Sequence, residues 1–74
     1  MKYIFAEKIR GIRENSDMSQ TEIANMLKIS QRAYSHYEQG DREISLDSLV
    51  KIANYFNVSI DYLLGRTNKK EVNR

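Results

Sequence analysis

The sequence contains no cysteine, no proline and no tryptophan, and only three glycines and one histidine. Without cysteine there is neither a disulfide nor a thiolate zinc site, which fits a reducing cytoplasm and leads us to expect a cytoplasmic, nucleoid-associated protein. The missing proline and scarce glycine fit an all-helical domain, and no alternating strand pattern of useful length occurs. Long apolar runs are also absent. The opening MKYIFAEKIR has charges between its apolar residues, so it is neither a signal peptide nor a membrane span. With His36 as the lone histidine, no nucleophile–base pair and no metal-ligand spacing can be assembled, and there is no glycine-rich phosphate loop. We therefore expect no enzyme, metal or cofactor.

Charge says less than its placement. The formal net charge is +2 over 74 residues. Residues 66–74 hold Arg66, Lys69, Lys70 and Arg74 against Glu71, a balance of +3, which leaves the first 65 residues at −1. Non-specific attraction of a polyanion to the body is therefore modest, and any nucleic-acid binding must depend on local placement. The chain is read as one domain over residues 1–65, burying roughly 60% of its unfolded surface, followed by a polar basic tail at 66–74 expected to fray. We expect no separate ligand-sensing domain.

Five helices are expected. The first runs from about Phe5 to Glu14, with Phe5, Ile9, Ile12 and Arg13 on one stripe. The stretch MSQTEIANMLKISQRAYSHYEQG, Met18 to Gly40, reads as two short helices joined at Lys28-Ile29, too close in sequence for a parallel pair. Ser19 with Glu22 forms a capping box, and Ser30 caps the second helix, residues 31–39. After the loop Asp41-Arg42-Glu43-Ile44, Ser45 caps a fourth helix whose apolar face is Leu46, Leu49, Ile52, Ala53 and Phe56. The last helix starts at Ser59 and ends at Gly65. Met18/Ile23, Ile29/Tyr34, Ile44/Leu49 and Val58/Leu63 each bracket a capping serine at the spacing of a hydrophobic staple.

The helix at 31–39 has two chemically different faces. At about 100° per residue, Ala33, Tyr34, Tyr37 and Glu38 fall on one side and Arg32, Ser35, His36 and Gln39 on the other, with Gln31 at the exposed first turn. The outer face is rich in hydrogen-bonding groups and carries no acid. It is either plain solvated surface or a surface that reads base edges in a DNA major groove. Arg32 and Gln31 are the expected base contacts, and Gln20, at a helix N-terminus, the expected phosphate contact through side chain and backbone N–H. Arg42 is expected at the backbone or minor groove, and Ser30 and Gln39 complete the expected DNA-binding set.

Gln20, Ala24, Tyr34, Tyr37, Glu38 and Gly40, with Arg42, Ser45 and Leu46 and the later run VSIDYLLG, resemble the Cro/phage-repressor (Xre-type) helix-turn-helix family. The resemblance covers about residues 5–65. It implies a compact five-helix lambda-repressor-like domain, helix-turn-helix at 19–40 with recognition helix 31–39, acting as a transcriptional regulator, expected to be a repressor. It places Ser35 and His36 near bases and pairs Arg13 with Glu38 between helices. It also implies a homodimer on an approximately palindromic double-stranded operator, with Val58, Ile60 and Leu64 as contact residues and self-association that is weak off DNA. The alternatives are a protein-interaction module or an antitoxin or controller protein of the same fold. Two positions depart from the family pattern: Lys28 stands where many members have glycine, and Ile44 where proline is frequent.

Overall fold

The computed structural model describes residues 3–70. Within them the chain forms α1 (Phe5–Asn15), α2 (Gln20–Leu27), α3 (Gln31–Gln39), α4 (Leu46–Phe56) and α5 (Ile60–Leu63). Helix α3 packs against both α2 and α1, while α4 and α5 close the far side. The core they enclose includes Phe5, Ile9, Ile23, Leu27, Tyr34, Ile52 and Leu63.

Four helices start by the same chemistry. The hydroxyls of Ser19, Ser30, Ser45 and Ser59 accept from the backbone N–H groups of Glu22, Ala33, Ser48 and Tyr62. Each serine thereby satisfies a donor that the first turn leaves without an intrahelical partner. At α2 the Glu22 carboxylate returns the favour, accepting from the Ser19 N–H at 3.0 Å. Helix α1 has no such cap. Its start is held by tertiary contacts instead: Tyr3 stacks on Phe5, and the Tyr3 N–H donates to the Gly40 carbonyl at the end of α3.

The connections repeat a three-residue device. Asp17, Lys28 and Asn57 all have positive φ. Each is followed by an apolar residue and then a capping serine: Asp17-Met18-Ser19, Lys28-Ile29-Ser30 and Asn57-Val58-Ser59. The apolar residue works in both directions. Its N–H reaches back to the preceding helix, Met18 to Arg13, Ile29 to Ala24 and Val58 to Ala53, as a helix-ending left-handed turn requires. Its side chain is in the core cluster or packs against it, at the spacing of a hydrophobic staple to the next helix's first buried residue. One residue thus closes one helix and sets the entry angle of the next.

The structure departs from the sequence reading at several points. Leu46 does not join the α4 face but is 72% exposed, because it occupies the first helical position, ahead of the turn that meets the core. Helix α5 is a single turn, shorter than 59–65, with Leu64 as its C-cap and Gly65 at φ +74°. Through residue 70 the tail folds back on the domain. The Ser59 N–H donates to the Lys70 carbonyl at 2.8 Å and the Arg66 N–H to the Asp61 carbonyl, while Lys70 Nζ lies 5.9 Å from the centre of the Tyr62 ring. Glu71 and Arg74, the other charges of that tail, lie outside the described residues. Gly11, which has no evident role in the sequence, faces open space, since an added methyl would meet nothing within 4 Å.

The turn between α2 and α3 places Lys28 at φ 60° and ψ 40°, a conformation that costs a residue with a Cβ about 1–2 kcal/mol. Lys28→Gly removes that cost and adds about 0.5–1 kcal/mol of unfolded-chain entropy, so the variant should gain about 0–1.5 kcal/mol. Urea denaturation measures this directly, and a lower midpoint for the glycine variant would show that the lysine is unstrained.

Candidate nucleic-acid interface

The site is built outward from one ion pair. Arg13 leaves α1 and Glu38 leaves α3, and the Arg13 Nε lies 2.6 Å from Glu38 Oε2 with their side chains only 14% and 5% exposed. A second guanidinium nitrogen, Nη2, donates to Glu38 Oε1 at 3.1 Å, and Nη1 donates to the Met18 carbonyl at 2.9 Å. The planar guanidinium therefore uses its fork on the carboxylate and its remaining edge on the α1–α2 turn. Three elements are fixed by one side chain.

From Glu38 the network runs outward through two amides. Gln20 Nε2 donates to Glu38 Oε1 at 3.1 Å, and Gln31 Nε2 donates to Gln20 Oε1 at 2.6 Å. A carboxylate accepts only, so it fixes the Gln20 amide with nitrogen inward and oxygen outward. That orientation in turn makes Gln31 the donor and leaves its Oε1 and one amide hydrogen for a ligand. The Gln20 side chain was expected to reach phosphate. It is instead held at both ends, so one amide hydrogen and the first-turn backbone N–H are what it can still offer.

Electrostatics agree with the geometry. Burial opposes ionisation of Glu38, but the hydrogen bonds from Arg13 and Gln20, with the Arg13 charge, outweigh it and hold the carboxyl below its ordinary value. Burial, and then the nearby Glu38 carboxylate, push the Tyr34 phenol well above its usual range. Although Glu38 draws on the Tyr34 hydroxyl electrostatically, that buried oxygen makes no hydrogen bond of good geometry. The Glu38 carboxylate oxygens are already engaged by Arg13 and Gln20.

The outer face of α3 presents Gln31, Arg32 and Gln39 as exposed residues, with Ser35 and His36 half-buried. Gln39 Nε2 donates to Ser35 Oγ at 3.2 Å. Ser30 is exposed but its oxygen already caps α3. Arg42 is exposed in the following loop. The face is not free of acid. Gly40, at φ 77°, turns the chain back so that both Asp41 oxygens lie within 3.3 Å of His36 Nδ1. Sequence periodicity could not reveal this contact, because Asp41 lies beyond the helix. Arg10 was also missed: it stands on the wall of a groove shared with Arg13, Gln20, Ser35, Gln39 and Asp41.

At the far end, the three residues assigned to self-association separate. Val58 is 7% exposed and belongs to the core. Its place in the connector between α4 and α5 turns it inward, so it offers no contact surface. Ile60 is half-buried against the core, and Leu64 is 38% exposed. Among the described residues no helix is long and apolar enough to cross a membrane.

Two short helices joined at a left-handed residue, the second held by a buried ion pair and presenting a polar face, define a helix-turn-helix protein. Residues 9–63 match the family described as Helix-turn-helix, and the chain belongs to it. The Bacillus subtilis protein named uncharacterized HTH-type transcriptional regulator YqaE is 38% identical over 68 residues, covering 90% of this chain and 59% of that protein. The cryptic phage CTXphi transcriptional repressor RstR of Vibrio cholerae is 33% identical, covering 82% of this chain and 55% of its own length. The chain thus spans a little over half of these relatives. The P22 c2 repressor, solved in complex with synthetic operator 9T, superposes with a TM-score of 0.76 at 28% identity, covering 82% of this chain and 92% of that one.

The ion pair also sets an acid limit. Because the folded-state pKa of Glu38 lies below its ordinary value of 4.5, its contribution is complete above that value and is lost as pH falls through the folded one. Glu38→Gln should therefore flatten the acid limb of a stability profile, and Glu38→Ala, which strands Arg13, should cost about 3–5 kcal/mol. Denaturant midpoints from about pH 7 to 2.5 test both. Parallel acid limbs for parent and glutamine variant would mean that Glu38 carries none of the dependence.

Proposed function

We propose that this chain binds double-stranded DNA sequence-specifically, with α3 in the major groove, and regulates transcription, acting as a repressor. The observation that carries the reading is the hydrogen-bonded line from Arg13 through Glu38 and Gln20 to Gln31. It ends at the surface in an oriented amide, beside the exposed guanidinium of Arg32. A merely solvated helix has no use for a recognition-type amide fixed from the core. Gln31 and Arg32 read base edges, Gln to adenine and Arg to guanine by preference. Ser35, His36 and Gln39 line the same groove. Ser30, the N-terminus of α2 at Gln20 and Arg42 meet the phosphate backbone. P22 c2, a repressor solved on operator DNA, and RstR, a named transcriptional repressor, support the reading by likeness.

The role is binding rather than catalysis, and the site of action is the cytoplasm, on the nucleoid. An interaction module of the same fold is the rival reading. It would want acidic or large apolar residues on the outer face of α3, where Arg32 and Gln39 stand. An antitoxin or controller protein would use the same DNA chemistry.

Arg32→Ala should weaken binding by about 1–3 kcal/mol and relax preference at one or two positions of the site. Selection of bound duplexes from a random library, followed by titration of the winners, reads both effects. Equal binding of all sequences by parent and variant would remove α3 from the interface.

The chain binds as a two-fold dimer on an approximate palindrome, through Ile60 and Leu64 around α5. So small a patch gives weak association that a shared duplex strengthens. Sedimentation should find monomer in dilute solution and a dimer on DNA with half-sites about 10 bp apart. Inserting about five base pairs between them rotates one half-site by half a turn and should abolish cooperativity. Undiminished cooperative affinity would rule the dimer out.

A further inference from the structure

The contact between His36 and Asp41 joins the one histidine of the chain, on the outer face of the recognition helix, to a carboxylate from the next loop. His36 Nδ1 lies 3.2 Å from Asp41 Oδ1 and 3.3 Å from Oδ2. The histidine side chain is 31% exposed and the aspartate 55%, so both are open to a duplex, and neither belongs to the line that holds Gln31. An ionised carboxylate can only accept. In the neutral imidazole the proton must therefore sit on Nδ1, and Nε2 is left as a bare acceptor.

We infer that Asp41 is a positioning residue which fixes the His36 tautomer, making Nε2 a hydrogen-bond acceptor that selects bases presenting an amino group. This rests on the placement of α3 in the major groove proposed above. In that groove, adenine N6 and cytosine N4 are donors, whereas guanine N7 and O6 and thymine O4 are acceptors. An acceptor Nε2 favours adenine or cytosine and meets guanine or thymine lone pair to lone pair. A free imidazole, able to place its proton on Nε2, imposes no such choice. Asp41 thus enters base selection through His36, despite repelling phosphate.

The test has two arms. The first is an imidazole nitrogen–proton correlation spectrum of the free protein at about pH 8, above the ordinary histidine range near 6.5. The parent should show His36 protonated at Nδ1, and Asp41→Ala should shift the proton largely to Nε2. The second is selection of bound duplexes. Parent protein should favour adenine or cytosine at one position per half-site by about fivefold, the worth of one hydrogen bond, and Asp41→Ala should lose that preference. In a His36→Ala background, Asp41→Ala should change overall affinity alone, through removed repulsion. An Nε2–H tautomer in the parent overturns the inference. So does a base preference that survives Asp41→Ala, or one that Asp41→Ala alters equally without His36. An Nδ1–H parent that binds no duplex upholds the tautomer assignment and overturns the base selection together with the DNA-binding reading beneath it.

Discussion

The pairing of Arg13 with Glu38 is the constraint on which the rest of this small domain depends. Two charges removed from water gain little net stability over an apolar pair of the same shape. What they supply here is position. The guanidinium reaches α3 through Glu38 and the α1–α2 turn through the Met18 carbonyl, so α3 cannot slide on α1 without breaking several charge-assisted bonds at once. The same carboxylate orients Gln20, and Gln20 orients Gln31. Core and surface are parts of one hydrogen-bonded object. A polar residue at the surface is thereby as well located as one in the interior.

Much of this was legible in the sequence because it is local chemistry. Ser19, Ser30, Ser45 and Ser59 each announce a helix start, and the structure uses each hydroxyl as a cap. The apolar residue before each serine was equally visible. The residue before that was read only at Lys28, where the family pattern has glycine. Asp17 and Asn57 also adopt positive φ without the glycine that usually marks such a turn. Leu46 was misplaced because periodicity gives the face of a helix but not how far along it the core extends. Val58 was placed at a dimer contact by the family resemblance, although its staple spacing with Leu63 already pointed it inward. The return of the tail on Ser59 and the contact of Asp41 with His36 depend on turns at Gly65 and Gly40. No pattern of side chains encodes where those turns point.

The candidate site was legible in its residue types and not in its order. Gln31, Arg32 and His36 stand out as polar groups on one face. That Gln20 is an intermediary rather than a simple phosphate contact emerges only when three helices are assembled. The charge balance points the same way. A body at −1 attracts a polyanion only modestly at long range, so the proposed DNA binding relies on donors placed accurately, as the line from Arg13 places Gln31.

That claim is tested most directly by replacing the buried pair with an apolar one, Arg13→Met with Glu38→Leu, and measuring discrimination between the selected duplex and a duplex altered at the Gln31 position. Such a swap leaves no stranded charge, so the domain should still melt cooperatively. The account predicts that the folded double variant loses most of its discrimination at that position, because Gln20 and Gln31 no longer have a carboxylate to orient them. Unchanged discrimination in a folded double variant would contradict it.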